Sequence, residues 1–212
     1  MMNEQYLDVS LKASFYTQNE LTEKTKRIWL VFHGYGQLSR YLIRKFKGLD
    51  PEGNYIIAPQ GLSKFYLEGF SGRVGASWMT KEDRLTDIEN QFRYVDAVLD
   101  QHQIDWEKHQ LVYFGFSQGV ATMCRYAAHS KLPFQKMILW AGTFPPDLER
   151  SDFGFLTGNE KASYYTGFQD PFFKPGMKEE QLSRIQNAMA LEANVIEFEG
   201  KHEVLADLVQ KI

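Results

Sequence analysis

The chain has 212 residues, of which 43% are hydrophobic and 24% charged, enough for a substantial buried core. Its net charge is −3, so no basic excess exists to hold a nucleic acid or an anionic membrane, and no nucleic-acid partner is expected. The single cysteine, Cys124, excludes an intramolecular disulfide and a multi-cysteine metal cluster, and its apolar neighbours mark it as a buried thiol.

The opening residues Met1 to Gln5 carry no basic start followed by an apolar stretch, so no signal peptide is expected. No apolar run approaches the ~20 residues that span a bilayer, so a cytoplasmic protein without stable membrane insertion is expected. Val9 to Tyr16 alternates apolar and polar side chains, which predicts a half-exposed edge strand. Ile28 to Phe32 is the first continuous apolar run, and it ends in His33-Gly34-Tyr35-Gly36. Later runs are Tyr55–Ala58, Leu111–Phe114, Met137–Trp140, Ser163–Tyr165 and Val195–Phe198. Such runs suit parallel strands covered on both faces.

Helical patterns lie between them. Leu85, Ile88, Phe92, Val95 and Leu99 recur at spacings of three and four and share one helical face. Further helices are predicted over 118–130, ended by Pro133, over 178–191, and over 203–211 with Val204, Leu205 and Leu208 packed. Alternating strands and helices predict one three-layer α/β domain over 1–212, with a mostly parallel central sheet. Residues 60–82 lack clear periodicity, are punctuated by glycines and read as a substrate-binding loop.

Gly115-Phe116-Ser117-Gln118-Gly119 is the most informative segment. G-x-S-x-G alone is weak, but here it follows an apolar strand and opens an apolar helix, the setting in which a serine stands on a strained turn. A serine hydroxyl needs a base, and the base needs an acid. Of five histidines only His129 and His202 follow Ser117. His129 falls near the far end of the helix that the serine opens, whereas His202 lies in the loop after the last strand, so His202 is read as the general base. Asp170, between Gly167 and Pro171, is the preferred acid, with Asp147, Glu149 and Asp152 as rivals. Oxyanion donors are expected from the backbone N–H of Gln118 and of Tyr35, with Gly36 next, while His33 stiffens their loop. Phe65, Tyr66, Phe70, Trp78, Phe144, Phe168, Phe172 and Phe173 are candidates for an apolar substrate pocket. No phosphate-binding loop or zinc-protease helix is present, so no metal and no cofactor are expected.

Taken together, His33-Gly34-Tyr35-Gly36, Ala58-Pro59-Gln60-Gly61, Ser77-Trp78, the Gly-Phe-Ser-Gln-Gly block, Gly167-Phe168-Gln169-Asp170 and His202 resemble the phospholipase/carboxylesterase family of α/β-hydrolases. That family includes acyl-protein thioesterases and small bacterial esterases. The resemblance implies an α/β-hydrolase fold without a separate cap domain. It also implies a cofactor-free serine hydrolase of carboxylic esters or thioesters with small to medium acyl groups, and carries Ser117, Asp170 and His202 into the triad positions. Lysophospholipase or acyl-protein thioesterase activity is the near alternative; a non-catalytic ligand-binding protein on the same scaffold is the distant one. The chain departs from the family pattern at Val120, where another glycine is usual, and at Lys201, which separates Gly200 from His202.

Overall fold

A computed structural model describes residues 2–212. Nine strands and five α-helices follow in chain order: β1 (Phe15–Gln18), β2 (Arg27–Phe32), α1 (Ser39–Leu42), β3 (Asn54–Pro59), β4 (Ser63–Tyr66), β5 (Val74–Ser77), α2 (Arg84–Leu99), β6 (Gln110–Phe116), α3 (Gln118–Ser130), β7 (Lys136–Trp140), β8 (Lys161–Gly167), α4 (Met177–Met189), β9 (Ala193–Phe198) and α5 (Ala206–Val209). Seven strands form one sheet in the order β1-β3-β2-β6-β7-β8-β9. Only β1 runs antiparallel to its neighbour. No helix among the described residues is long and apolar enough to cross a membrane.

The central strands β2, β3, β6 and β7 are buried on both faces because each carries a continuous apolar run. In β2 the alternation of side chains sends Ile28, Leu30 and Phe32 into one cluster and Trp29 and Val31 into the other, all fully buried. The first cluster is closed by α2, α3 and α4, and includes Val95, Met123 and Ile185. The second is closed by α1 and the C-terminal segment, through Leu42, Val204 and Val209. The aromatic residues of the strands (Trp29, Phe32, Tyr113, Phe114, Trp140) fill these two layers.

Four expectations are corrected. The predicted edge strand 9–16 is a strand only at Phe15–Gln18, and Val9 and Leu11 are exposed. The segment before Phe15 runs beside α2 instead, tied by Tyr94 Oη to the Ser14 carbonyl at 2.7 Å and by Arg93 to Asp8 at 2.9 Å. Alternation was present there, but no strand lay beside it to pair with. Leu85 is exposed, because α2 joins the core only from Ile88 onward. The C-terminal helix is confined to Ala206–Val209; Val204, Leu205 and Leu208 pack as expected, and Val209 is buried with them. Residues 60–82 contain a hairpin of β4 and β5, whose pattern was hidden because Phe65 faces Gly75 across the register.

Chain order reverses beside β2, with β3 on one side and β6 on the other. The loops after β2 and β6 therefore diverge at the carboxyl edge of the sheet, where this topology opens a crevice. Burial predicts the energetic contrast between the central strand and the N-terminal arm. Leu30→Ala should cost about 2–5 kcal/mol in denaturant unfolding, while Leu11→Ala should stay within about 0.5 kcal/mol. Equal costs would contradict the arrangement.

Candidate active site

Ser117 stands between the end of β6 and the start of α3, with φ 53° and ψ −119°. A non-glycine residue with positive φ is costly, and the turn survives because both ends are fixed. The Ser117 N–H donates to the Trp140 carbonyl at 2.9 Å, and its own carbonyl accepts from Val120 at 3.0 Å. Gly119 sits so close to the Phe32 and His33 carbonyls that a side chain there would overlap the backbone of β2. That approach carries α3 directly across the sheet and leaves the hydroxyl at the crevice.

The two other expected groups converge on this hydroxyl. His202 Nε2 is 2.8 Å from Ser117 Oγ, and His202 Nδ1 is 2.7 Å from Asp170 Oδ2. The Asp170 side chain is 2% exposed, and its other oxygen accepts from the Phe172 N–H at 2.9 Å. A buried carboxylate with both oxygens engaged fixes the ring orientation of the histidine. The loops bearing the two residues are laced together: Phe168 N–H donates to the Phe198 carbonyl at 2.9 Å and Gln169 N–H to the Gly200 carbonyl at 3.0 Å. Trp140 Nε1–H holds the Glu203 carbonyl at 2.8 Å, directly after His202. The His202 ring lies between Phe116 and Phe172, with centroids 4.9 and 4.8 Å away.

The rival acids are committed elsewhere. Arg125 grips Asp147 through both carboxylate oxygens and Arg84 adds a third contact, which together hold the Asp147 carboxyl down at about 2. Glu149 and Asp152 cap the same short 3₁₀ turn. His129 stacks on Phe92 and contacts Asp96 at 2.9 Å, away from the serine.

The β4–β5 hairpin distinguishes the two early N–H groups expected as oxyanion donors. The Gly36 N–H is consumed by the Ala76 carbonyl at 2.9 Å, and Ala76 N–H returns a bond to Gln37 at 3.1 Å. Among the described residues the N–H groups of Tyr35 and Gln118 have no protein acceptor, so two donors remain beside Ser117. The Gln118 side chain adds a role that the sequence did not indicate. Its Oε1 accepts from Trp78 N–H at 3.0 Å, and its Nε2 donates to the Met79 carbonyl at 2.8 Å. Gln118 is thereby pinned to the segment leaving the hairpin.

His33 stiffens the other donor loop from within the core. Its Nε2 accepts from Gly61 N–H at 2.9 Å and its Nδ1–H donates to the Gly34 carbonyl at 2.8 Å, which assigns the neutral ring. The ring also packs against Trp78 at 4.8 Å. Burial pushes the His33 imidazole down to about 4.

A cavity of about 380 Å³ opens on the serine and is lined by Tyr35, Gly142, Thr143, Phe172, Met177 and His202. Of the expected pocket aromatics, only Phe172 borders it. Trp78 and Phe144 are 2% and 1% exposed and belong to the core, where Trp78 Nε1–H donates to the His33 carbonyl. Phe173 also packs on the core. Tyr66, Phe70 and Phe168 are exposed and do not line the serine cavity, and Phe65 packs against Tyr35 in a tilted pair with centroids 5.1 Å apart. Met177 and Thr143 gave no sequence signal, because only the packing of α4 and the β7 exit brings them here.

No protein-family model matches the sequence, and no curated protein matches it. Solved structures do. A Bacillus cereus carboxylesterase superposes with a TM-score of 0.65 at 17% identity, covering 94% of this chain and 91% of that one. The chain has the α/β-hydrolase fold. Zea mays acyl-protein thioesterase 2 gives 0.69 at 14% identity over 94% and 97%, and esterase PE8 gives 0.70 at 18% over 95% and 96%. At these identities the likeness establishes the fold and leaves the chemistry to the residues.

The depressed His33 value has a definite sign. An unfolded histidine titrates near ~6.5, so the stability contributed by the neutral buried ring is complete above that pH and is lost as pH falls toward 4. Ring ¹H–¹⁵N spectra should show His33 still neutral at pH 5. A midpoint near the ordinary histidine value would contradict its placement.

Proposed function

We propose that the protein is a serine hydrolase that cleaves carboxylic esters or thioesters of small to medium acyl groups. The observation that carries this reading is the continuous chain from Ser117 Oγ to His202 Nε2 at 2.8 Å and from His202 Nδ1 to Asp170 Oδ2 at 2.7 Å. His202 takes the serine proton as Oγ bonds to the substrate carbonyl carbon. Asp170 stabilises the imidazolium that forms, and the Tyr35 and Gln118 N–H groups receive the negative charge on the carbonyl oxygen. His202 then returns the proton to the departing alcohol or thiol, leaving an acyl group on Ser117. Water, deprotonated by His202, attacks that acyl-enzyme, and collapse releases the acid and restores the hydroxyl. These groups suffice without a metal or cofactor.

The superposable carboxylesterase and acyl-protein thioesterase support ester and thioester bonds as the two leading targets. Phospholipase/carboxylesterase from Dyadobacter fermentans, with a TM-score of 0.62 at 17% identity, adds phospholipid esters as a further class. The half-open cavity over Ser117 accommodates a modest leaving group. A reduced cytoplasm suits a chain whose single cysteine is buried and free.

Kinetics on 4-nitrophenyl butyrate test the assignment. Ser117→Ala should abolish turnover, and Asp170→Asn should lower kcat on the order of 10³–10⁴-fold. Asp147→Asn should change kcat by less than about tenfold, since its partners are Arg125 and Arg84. Loss of turnover in Asp147→Asn with activity kept in Asp170→Asn would reverse the assignment.

A further inference from the structure

A second cavity, larger than the one over the serine, is bordered by residues that adjoin the site in sequence. It has a volume of about 680 Å³, within the range of small-molecule sites. Its walls are Gly36, Leu38, Tyr41, Leu42, Leu67 and Val204, with Arg40 and Arg73 also bordering it. Gly36 is the residue after the Tyr35 donor, and Val204 is the second residue after His202. The two cavities therefore flank the same pair of catalytic loops. Ser117, which bonds the acyl carbon, and His202, which must protonate the leaving group, both line only the smaller one, so an ester arm that enters the larger one reaches it past the Tyr35–Gly36 loop.

The charged residues that line the larger cavity are both arginines. No carboxylate lines it. The Arg40 guanidinium lies over the Tyr41 ring at 4.9 Å, and Arg44 lies over the same ring at 5.4 Å. Among the described residues neither arginine has a carboxylate within ion-pair distance. Arg73 reaches Glu68 at 3.5 Å, but the two side chains are 81% and 84% exposed, and so exposed a pair holds its partners weakly. An apolar floor bordered by Arg40, which has no carboxylate partner, and by the weakly paired Arg73 matches an aliphatic chain that ends in an anion, because the guanidinium fork pairs with planar oxyanions.

We propose that this cavity is the acyl subsite and that it selects acyl chains ending in a carboxylate or phosphate-type group, with Arg40 and Arg73 as the specificity-determining residues. The proposal rests on the serine-hydrolase reading. Three substrates of matched length separate the possibilities: mono-4-nitrophenyl adipate, 4-nitrophenyl 5-phosphonopentanoate and the uncharged 4-nitrophenyl hexanoate. Wild-type protein should turn over at least one anionic ester with kcat/KM about tenfold or more above that of hexanoate, and the preferred ester identifies the anion. In Arg40→Gln/Arg73→Gln the ratio of anionic to neutral kcat/KM should fall close to one. The ratio also cancels any loss of folded protein. Equal or greater preference for hexanoate by the wild type, or an undiminished ratio in the double variant, would overturn the subsite. Hexanoate hydrolysis that depends on Ser117 would then leave the hydrolase reading standing, whereas failure of all three esters would remove that reading and the subsite with it.

Discussion

The backbone of Ser117 is the constraint on which the site depends. A φ of 53° at a serine is held by neighbours on three sides: Trp140 accepts its N–H, Val120 bonds its carbonyl, and Gly119 presses α3 against β2. Relaxing that turn would swing the hydroxyl away from His202 and would move the Gln118 N–H with it, since both belong to the same few atoms of chain. The strain is stored where the loops after β2 and β6 diverge, so the fold that tolerates it also supplies an open edge for a ligand.

The hairpin of β4 and β5 completes what the turn begins. By taking the Gly36 N–H it leaves Tyr35 as the free donor, and through Trp78 and Met79 it grips the Gln118 side chain. His33 connects the same parts from below, through Gly34, Gly61 and the face of Trp78. The donors on the two sides of Ser117 are thus fixed by one polar network rather than by two separate loops. Preorganised donors of this kind need no reorientation when charge develops on a substrate oxygen.

Most of the sheet and the three central groups were legible in the sequence, because each leaves a local trace. Continuous apolar runs mark strands buried on both faces, and the glycines around Ser117 mark a turn whose neighbours approach too closely for side chains. His202 and Asp170 were readable from their position after late strands, a consequence of parallel topology. What could not be read depends on contacts far apart in the chain. Val9 and Leu11 alternate as a strand would, yet pairing is decided by whether β3 extends alongside them. Trp78 and Phe144 sit in loop-like sequence and lie in the core, because their burial is set by α2, α3 and α4 packing over them. The choice of Tyr35 over Gly36 depends on a hairpin partner forty residues away in sequence, Ala76, to which the glycine loop gives no clue.

The central claim is that the Ser117 hydroxyl is an activated nucleophile. Labelling native protein with a fluorophosphonate, followed by proteolysis and mass spectrometry, tests it most directly. The account predicts a single phosphonyl adduct on Ser117, formed in the native protein and absent after denaturation or in His202→Ala. An unlabelled native protein, or an adduct that persists on Ser117 in His202→Ala at the wild-type rate, would contradict it.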